Sequence, residues 1–166
     1  MDQQATNHPV AGNRTSVERK GDRELVVTRT FDAPPRIVFK VWSDPDLFRE
    51  WWVPKGAPMK LVGCDMDVRT GGKYRLEFEA GGQTMAFYGK YLDVVPGERI
   101  VWTNDEGDEE GAVTTVTLED QGGRTLLTYH ELYPTAEALE EAMQGSAAGL
   151  PTQLDQLDEL LSTLGE

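Results

Sequence analysis

Residues 149–165, GLPTQLDQLDELLSTLG, repeat leucine at intervals of three and four residues. On an α-helix these leucines fall on one stripe, and the acidic residues between them form the outer face. The stripe consists of Leu150, Leu154, Leu157, Leu161 and Leu164. We therefore predict a long amphipathic C-terminal helix whose apolar side must be covered by another part of the chain.

The residues before this helix show the two-residue period of β-strands. Six strand-like runs lie between Gly56 and residue 133, separated by short Gly-rich connections such as RTGG and GGQ. Connections of this length join antiparallel neighbours. One more run, ELVVTRTFDA at 24–33, comes earlier in the chain. The pattern predicts a curved antiparallel sheet of about seven strands, and the leucine stripe is the long element able to cover its apolar face.

Two short helices are predicted between the first strand and the others. PPRIVFKVWSD at 34–44 begins with prolines suited to a helix start, and PDLFREWW at 45–52 follows Asp44 as an N-cap. The resulting fold is α+β, with the sheet curled around the C-terminal helix and the short helices closing one end. Such an arrangement leaves a space between sheet and helix that suits a ligand.

The domain organisation is predicted to be simple. Residues 1–22 are polar and lack periodicity, so we expect a disordered tail followed by a single domain over 23–166. The first residues have no apolar core of a secretory signal, and Cys64 is the only cysteine. A reducing cytoplasm is the expected location.

The charge distribution argues against two classes of partner. The net charge is −13, and the excess of acids is concentrated in residues 104–110 and 134–166, which contain no base. A chain without a lysine or arginine cluster is a poor binder of nucleic acids and anionic membranes. No apolar run approaches the roughly 20 residues of a membrane span.

Four motifs in order carry a resemblance to a known family. They are Phe-Asp-Ala-Pro at 31–34, Trp-Ser-Asp-Pro at 42–45, Trp-Trp-Val-Pro-Lys-Gly at 51–56 and Gly-Lys-Tyr-Leu-Asp-Val-Val-Pro at 89–96. With them, residues 24–164 resemble the activator-of-heat-shock-protein-90-ATPase homologues of the START-like (SRPBCC) superfamily. The resemblance implies the helix-grip fold and, more loosely, a cavity for lipids, sterols or polyketides. Where relatives often have Gly-Trp at the start of the last helix, this chain has Gly149 and Leu150, which reshapes the cavity.

The adjacent tryptophans Trp51 and Trp52 cannot both enter a narrow apolar stripe, because neighbours on a helix point about 100° apart. Either one of them lines the cavity or both fix the helix end to the sheet; we expect Trp52 to face the ligand space and a ligand to affect Trp42 little. Strand alternation places further residues on the face towards the helix. The predicted lining is Trp51, Trp52, Phe78, Phe87, Tyr91, Trp102, Tyr129, Glu131 and Leu150.

Glu131 is the residue of this set with acid–base chemistry. As an inward carboxylate it needs a partner such as Tyr129 or an arginine, and it is either a pocket acid or a satisfied structural group. His130 points to the other face, so the two cannot act on one substrate. The acidic loop at 104–110 lacks the spacing of a calcium-binding loop, and we predict no metal site, no cofactor and no catalytic constellation.

Three functions are compatible with the sequence. The first is non-catalytic binding of a small hydrophobic molecule. The second is a co-chaperone-like interaction that uses the acidic hairpin and the C-terminal helix. The third is a cyclase- or dehydratase-type enzyme with Glu131 as the acid/base. The sequence is compatible with a monomer or, through leftover leucines of the last helix, a homodimer.

Overall fold

A computed structural model describes residues 15–53, 55–105, 111–144 and 149–164. Eight strands and four α-helices lie within these ranges. The strands are β1 (Ser16–Lys20), β2 (Glu24–Phe31), β3 (Lys60–Met66), β4 (Lys73–Ala80), β5 (Gln83–Val95), β6 (Arg99–Thr103), β7 (Val113–Asp120) and β8 (Thr125–Leu132). The helices are α1 (Pro35–Ser43), α2 (Pro45–Trp51), α3 (Ala136–Gln144) and α4 (Leu150–Leu164).

All eight strands form one antiparallel sheet in the order β1-β2-β8-β7-β6-β5-β4-β3. Strands β3 to β8 follow one another as hairpin neighbours, so this part of the sheet is a meander. The exception is the pairing of β2 with β8, which brings the beginning and the end of the strand region together. The α+β helix-grip prediction is confirmed, with eight described strands instead of about seven.

The extra strand lies in the predicted tail. Ser16–Lys20 pairs with β2, from Ser16 opposite Thr28 to Lys20 opposite Glu24. The prediction of a disordered tail is therefore wrong for these residues, and residues 1–14 lie outside the described part. β1 is an edge strand that is exposed along its whole length, so its sequence needs no hydrophobic alternation. Backbone pairing with β2 holds it in the sheet. The sequence signal was the connection at Gly21, whose φ of +69° suits a tight hairpin.

The short helices begin where the sequence predicts. Pro35 opens α1, and the Asp44 carboxylate accepts a hydrogen bond from the Asp46 backbone nitrogen at 2.9 Å, which caps α2. Thr135 caps α3 through its hydroxyl, which accepts from the Ala138 nitrogen at 3.0 Å. No helix in the described part of the chain is both long and apolar enough to cross a membrane.

The core lies between the inner face of the sheet and helices α1, α2 and α4. Leu154 and Leu157 of α4 are fully buried, as the leucine stripe predicts. Arg29 of β2 is 3% exposed, and its guanidinium donates to Asp155 at 2.5 Å and to Asp158 at 3.3 Å. This ion-pair group fixes the middle of α4 to the sheet.

Candidate functional site

A cavity of about 510 Å³ lies between the sheet, the α1–α2 pair and the start of α4. The inner faces of β3, β4, β5, β6 and β8 form one wall. Trp42, Phe48 and Trp52 form the second, and Leu150 and Gln153 of α4 form the third. The volume is in the range of sites that enclose small organic molecules.

The structure brings eight of the nine predicted residues to this cavity. Strand register explains the grouping, because Tyr91 pairs with Trp102, Trp102 with Thr114, and Thr114 with Glu131. One row across the sheet therefore carries several lining side chains. The eight residues at the cavity are Trp52, Phe78, Phe87, Tyr91, Trp102, Tyr129, Glu131 and Leu150.

Trp51 is the predicted lining residue that lies elsewhere. Its side chain is 0% exposed, and its indole nitrogen donates to the Val41 carbonyl at 2.9 Å. Trp51 is the last residue of α2 and packs back on α1, whereas Trp52 follows the helix and turns towards the cavity. The first of the two alternatives therefore describes the pair, with Trp51 packed in the core and Trp52 in the cavity wall.

Trp42 lines the cavity, contrary to the expectation that a ligand would affect it little. Its ring centroid lies 5.9 Å from that of Trp102, 6.1 Å from that of Trp52 and 6.4 Å from that of Tyr129. Its indole nitrogen is buried and has no hydrogen-bond partner among the described residues. The predicted lining omits Trp42, because helical spacing alone cannot separate a packed core residue from one in a cavity wall.

Two glutamines of α4 were missed by the sequence analysis. The Gln156 amide nitrogen donates to the carbonyls of Trp51 and Val53, each at 2.9 Å, and the Gln153 amide nitrogen donates to the carbonyl of Trp52. These carbonyls belong to the last residue of α2 and to the two residues after it, where a helix leaves its carbonyls without intrahelical partners. Gln153 also lines the cavity. The available signal was a glutamine three residues after Leu150, at a position that a leucine stripe normally makes apolar.

Glu131 lies at the centre of a buried hydrogen-bond network. Its side chain accepts from the hydroxyls of Thr114 and Tyr129, each at 2.8 Å, and from the Tyr133 hydroxyl. Tyr129 is one of the partners that the sequence predicts. Glu131 is 9% exposed and lines the cavity, so it is both a satisfied buried group and a polar group of the pocket.

The tyrosines of this network are held in the neutral form. Burial is the main cause that raises the pKa of Tyr129 far above its usual value, and the negative charge of Glu131 adds to it. The same two causes raise the pKa of Tyr133. Burial likewise raises the pKa of Tyr91. The phenols therefore act as hydrogen-bond donors and not as bases at neutral pH.

Gly89 makes room for a neighbouring aromatic ring. A Cβ at this position would lie 2.9 Å from the Tyr74 ring and 2.1 Å from the Thr103 carbonyl oxygen. The Tyr74 hydroxyl donates a hydrogen bond to that carbonyl at 2.7 Å. The space left by the glycine on the inner face is thus occupied by Tyr74, and the cavity wall continues across it.

Among the described lining residues, Glu131 is the one carboxylate, and histidine and cysteine are absent. Within the described ranges no three His, Cys, Asp or Glu residues are grouped to hold a metal ion. His130 contacts Glu24 on the outer face, with its Nε2 atom 2.9 Å from the Glu24 carboxylate. Of the acidic loop predicted at 104–110, residues 106–110 lie outside the described part. The arrangement is suited to enclosing an apolar molecule and presenting one carboxylate to it.

Comparisons with solved structures find the same fold in several bacterial proteins. A protein from Chromobacterium violaceum is 32% identical, with a TM-score of 0.69 over 82% of this chain and 96% of its own. One from Mycobacterium smegmatis is 25% identical, with a TM-score of 0.77 over 91% of this chain and 99% of its own. An AHSA1-like protein from Aeromonas hydrophila is 19% identical, with a TM-score of 0.67 over 84% of this chain and 94% of its own.

No curated protein matches the chain. Residues 32–162 match the family described as activator of Hsp90 ATPase homolog 1-like protein. The match covers most of the sheet and all four helices apart from the last residues of α4. The chain therefore belongs to the activator of Hsp90 ATPase homolog 1-like family, within the SRPBCC superfamily.

Proposed function

We propose that this protein binds a small hydrophobic molecule, such as a lipid, a sterol or a polyketide-like compound, without transforming it. The observation that carries the proposal is the cavity of about 510 Å³, whose described lining is mostly aromatic and aliphatic. An apolar lining with a few fixed polar groups is typical of ligand sites. Transfer of apolar surface from water into such a space is the driving force for binding.

Neighbouring residues of β5 offer a matched test. Phe87 is 36% exposed and lines the cavity, whereas Tyr88 is 40% exposed and belongs to the other face of the strand. We expect Phe87→Ala to weaken binding of the neutral fluorophore N-phenyl-1-naphthylamine about tenfold, because an aromatic contact is lost. Tyr88→Ala serves as the control and should leave the affinity unchanged.

Fluorescence titration measures both affinities, and competition with fatty alcohols, sterols and aromatic polyketides then identifies the ligand class. Equal affinities for the wild type and Phe87→Ala would show that the fluorophore binds elsewhere. Absence of binding to the wild type would remove the proposal.

The family description supports a second candidate, a co-chaperone-like interaction with Hsp90. Residues 134–166 carry seven acids and no base, which suits a basic partner surface. However, Asp155 and Asp158 already pair with Arg29, and Glu159 lies 3.4 Å from the Lys55 ammonium. This internal pairing reduces the negative charge that α4 offers to a partner. Small-molecule binding therefore remains the first candidate function.

Co-purification with Hsp90 at low salt, and its loss at high salt, is the measurement that favours the second candidate. A complex that forms equally well at both salt concentrations would contradict a charge-driven interaction.

The enzyme hypothesis rests on Glu131 alone and predicts that Glu131→Gln abolishes turnover. The cytoplasmic location and the monomeric or dimeric state also stay predictions.

A further inference from the structure

We infer that the cavity selects a hydrophobic amine, in which an apolar body carries one protonated amino group that pairs with the Glu131 carboxylate. The inference rests on the proposed function, since it names the ligand class of the same cavity. It follows from three features of the described lining: an acceptor group that has capacity left, the absence of a basic side chain, and aromatic rings beside the acceptor.

The first feature is the hydrogen-bond state of Glu131. The Oε2 atom accepts from Thr114 and Tyr129, and the Oε1 atom accepts from Tyr133. The Thr114 hydroxyl also accepts from the Asn104 amide at 3.3 Å, which fixes its own proton towards Glu131. Two carboxylate oxygens offer about four acceptor positions, so Oε1 has capacity for one more donor. A ligand that enters the cavity can supply it.

The second feature is the charge balance of the wall. Glu131 is the one charged side chain among the described lining residues, and none of them is lysine, arginine or histidine. The internal positions that the structure does not describe, 54, 106–110 and 145–148, contain no basic residue in the sequence. A buried carboxylate whose partners are all neutral hydroxyls gains most from a cationic partner. A ligand carboxylate would instead meet a like charge without compensation.

The third feature is the aromatic group next to the carboxylate. Tyr129 donates to Glu131, and its ring centroid lies 6.3 Å from that of Trp102 and 6.4 Å from that of Trp42. The faces of tryptophan and tyrosine rings attract cations, and the attraction grows where water is excluded. An ammonium group beside Glu131 would therefore be close to both kinds of favourable contact, while the rest of the ligand fills the apolar part of the cavity.

Three probes of one shape test the inference on the wild-type protein. They are biphenyl-4-ylmethylamine, biphenyl-4-ylmethanol and biphenyl-4-carboxylate, measured by isothermal titration calorimetry at neutral pH. We expect the amine to bind about tenfold or more tightly than the alcohol, and the carboxylate to bind most weakly. Equal affinities for amine and alcohol, or a preference for the carboxylate, overturn the inference.

A net charge of −13 attracts any cation, so a matched pair of variants is needed. Glu131→Gln removes the charge in the cavity, and Glu79→Gln removes one at an exposed position of β4 outside it. The preference for the amine over the alcohol should fall to about unity in Glu131→Gln and persist in Glu79→Gln. Loss of the preference in both variants overturns the inference. If Glu131→Gln does not fold, the wild-type ranking, repeated at high salt to screen surface attraction, decides the question.

The outcomes separate this inference from the function on which it rests. Binding of the alcohol with no preference for the amine leaves the hydrophobic-binding proposal in place and removes the inference. Absence of binding of all three probes removes both.

Discussion

At the scale of single residues, the cavity depends on how two adjacent tryptophans divide their roles. Trp51 completes the packing of α2 on α1, with its ring centroid 4.7 Å from that of Trp42. Trp52 stacks on Phe48 at 4.7 Å and faces the cavity. Trp51 is therefore packed behind the cavity wall, whereas Trp42 and Trp52 line the cavity and are placed to contact a ligand.

Replacing Trp51 with phenylalanine tests the supporting role. The change keeps an aromatic ring but removes the donor of the hydrogen bond to the Val41 carbonyl, which is left buried. We expect the free energy of unfolding to fall by about 1–3 kcal/mol. Urea denaturation measures it, with Trp52→Phe as the control because no hydrogen bond from the Trp52 indole supports the helix pair among the described contacts. A larger loss in the control would contradict the division of roles.

The raised pKa values of the buried tyrosines predict a loss of stability in alkaline solution. A tyrosine in the unfolded chain releases its proton near pH 10, whereas Tyr129 and Tyr133 keep theirs in the folded protein to higher pH. Between these values the folded state binds more protons, so the free energy of unfolding falls as the pH rises. The stabilisation is complete below pH 10 and is lost above it.

Absorbance of tyrosinate and far-ultraviolet circular dichroism, recorded together during a titration from neutral pH, check this prediction. Ionisation of the buried phenols should coincide with loss of secondary structure. Full ionisation of all five tyrosines with the fold intact would contradict it.

At the scale of elements, α4 is held by polar contacts as much as by its leucines. Gln156 binds carbonyls at the end of α2, and its own amide oxygen accepts from the Lys55 backbone nitrogen at 2.7 Å. Arg29 holds the same helix from the sheet side. Because one set of contacts joins α4 to the end of α2 and the other joins it to β2, together they fix the position of the helix over the sheet.

The Arg29 ion pairs predict an asymmetric response to mutation. Removal of both carboxylates in Asp155→Ala/Asp158→Ala leaves the buried guanidinium without compensation and should lower the free energy of unfolding by about 3–5 kcal/mol. Arg29→Met leaves two partly exposed carboxylates that water can solvate, and should cost less than about 2 kcal/mol. Chemical denaturation of both variants checks the order, and an equal or reversed loss would contradict it.

The elements also show where prediction from the sequence was sufficient. The period of two from β2 to β8, the leucine stripe of α4 and the Asp44 cap each reflect a local pattern, and the structure contains them, except that Leu164 at the end of the stripe is exposed. Strand alternation predicted that Tyr91, Trp102 and Glu131 face the helix. Strand register places them in one row across the sheet. Gln153, Gln156 and Trp42 were missed or misjudged because their surroundings come from distant elements, which no local pattern contains.

At the scale of the whole molecule, the cavity exists because the sheet curves around a helix that does not fill the space at its N-terminal end. Leu154 and Leu157 are fully buried in the core, whereas Leu150, one turn earlier, borders the cavity. The side chain at position 150 is buried at the edge of the core and sets part of the cavity volume.

Leu150→Trp tests whether the start of α4 borders free space while its middle is packed in the core. The indole should occupy part of the cavity, weaken N-phenyl-1-naphthylamine binding about tenfold, and leave the free energy of unfolding nearly unchanged. The control Leu157→Trp places the same side chain in packed core and should cost about 1–3 kcal/mol or more. Fluorescence titration and denaturation distinguish the two variants. Equal destabilisation by both changes would mean that the space beside Leu150 is not available.

The central claim is that an apolar molecule enters the space between sheet and C-terminal helix. A titration of ¹⁵N-labelled protein with biphenyl-4-ylmethanol, followed through the indole N–H signals of its four tryptophans, tests it most directly. The predicted result is a saturable shift of the signals of Trp42, Trp52 and Trp102, with Trp51 the least affected because its N–H is bound to Val41 in the core. Four unmoved signals at saturating ligand, or a shift confined to Trp51, would contradict the account.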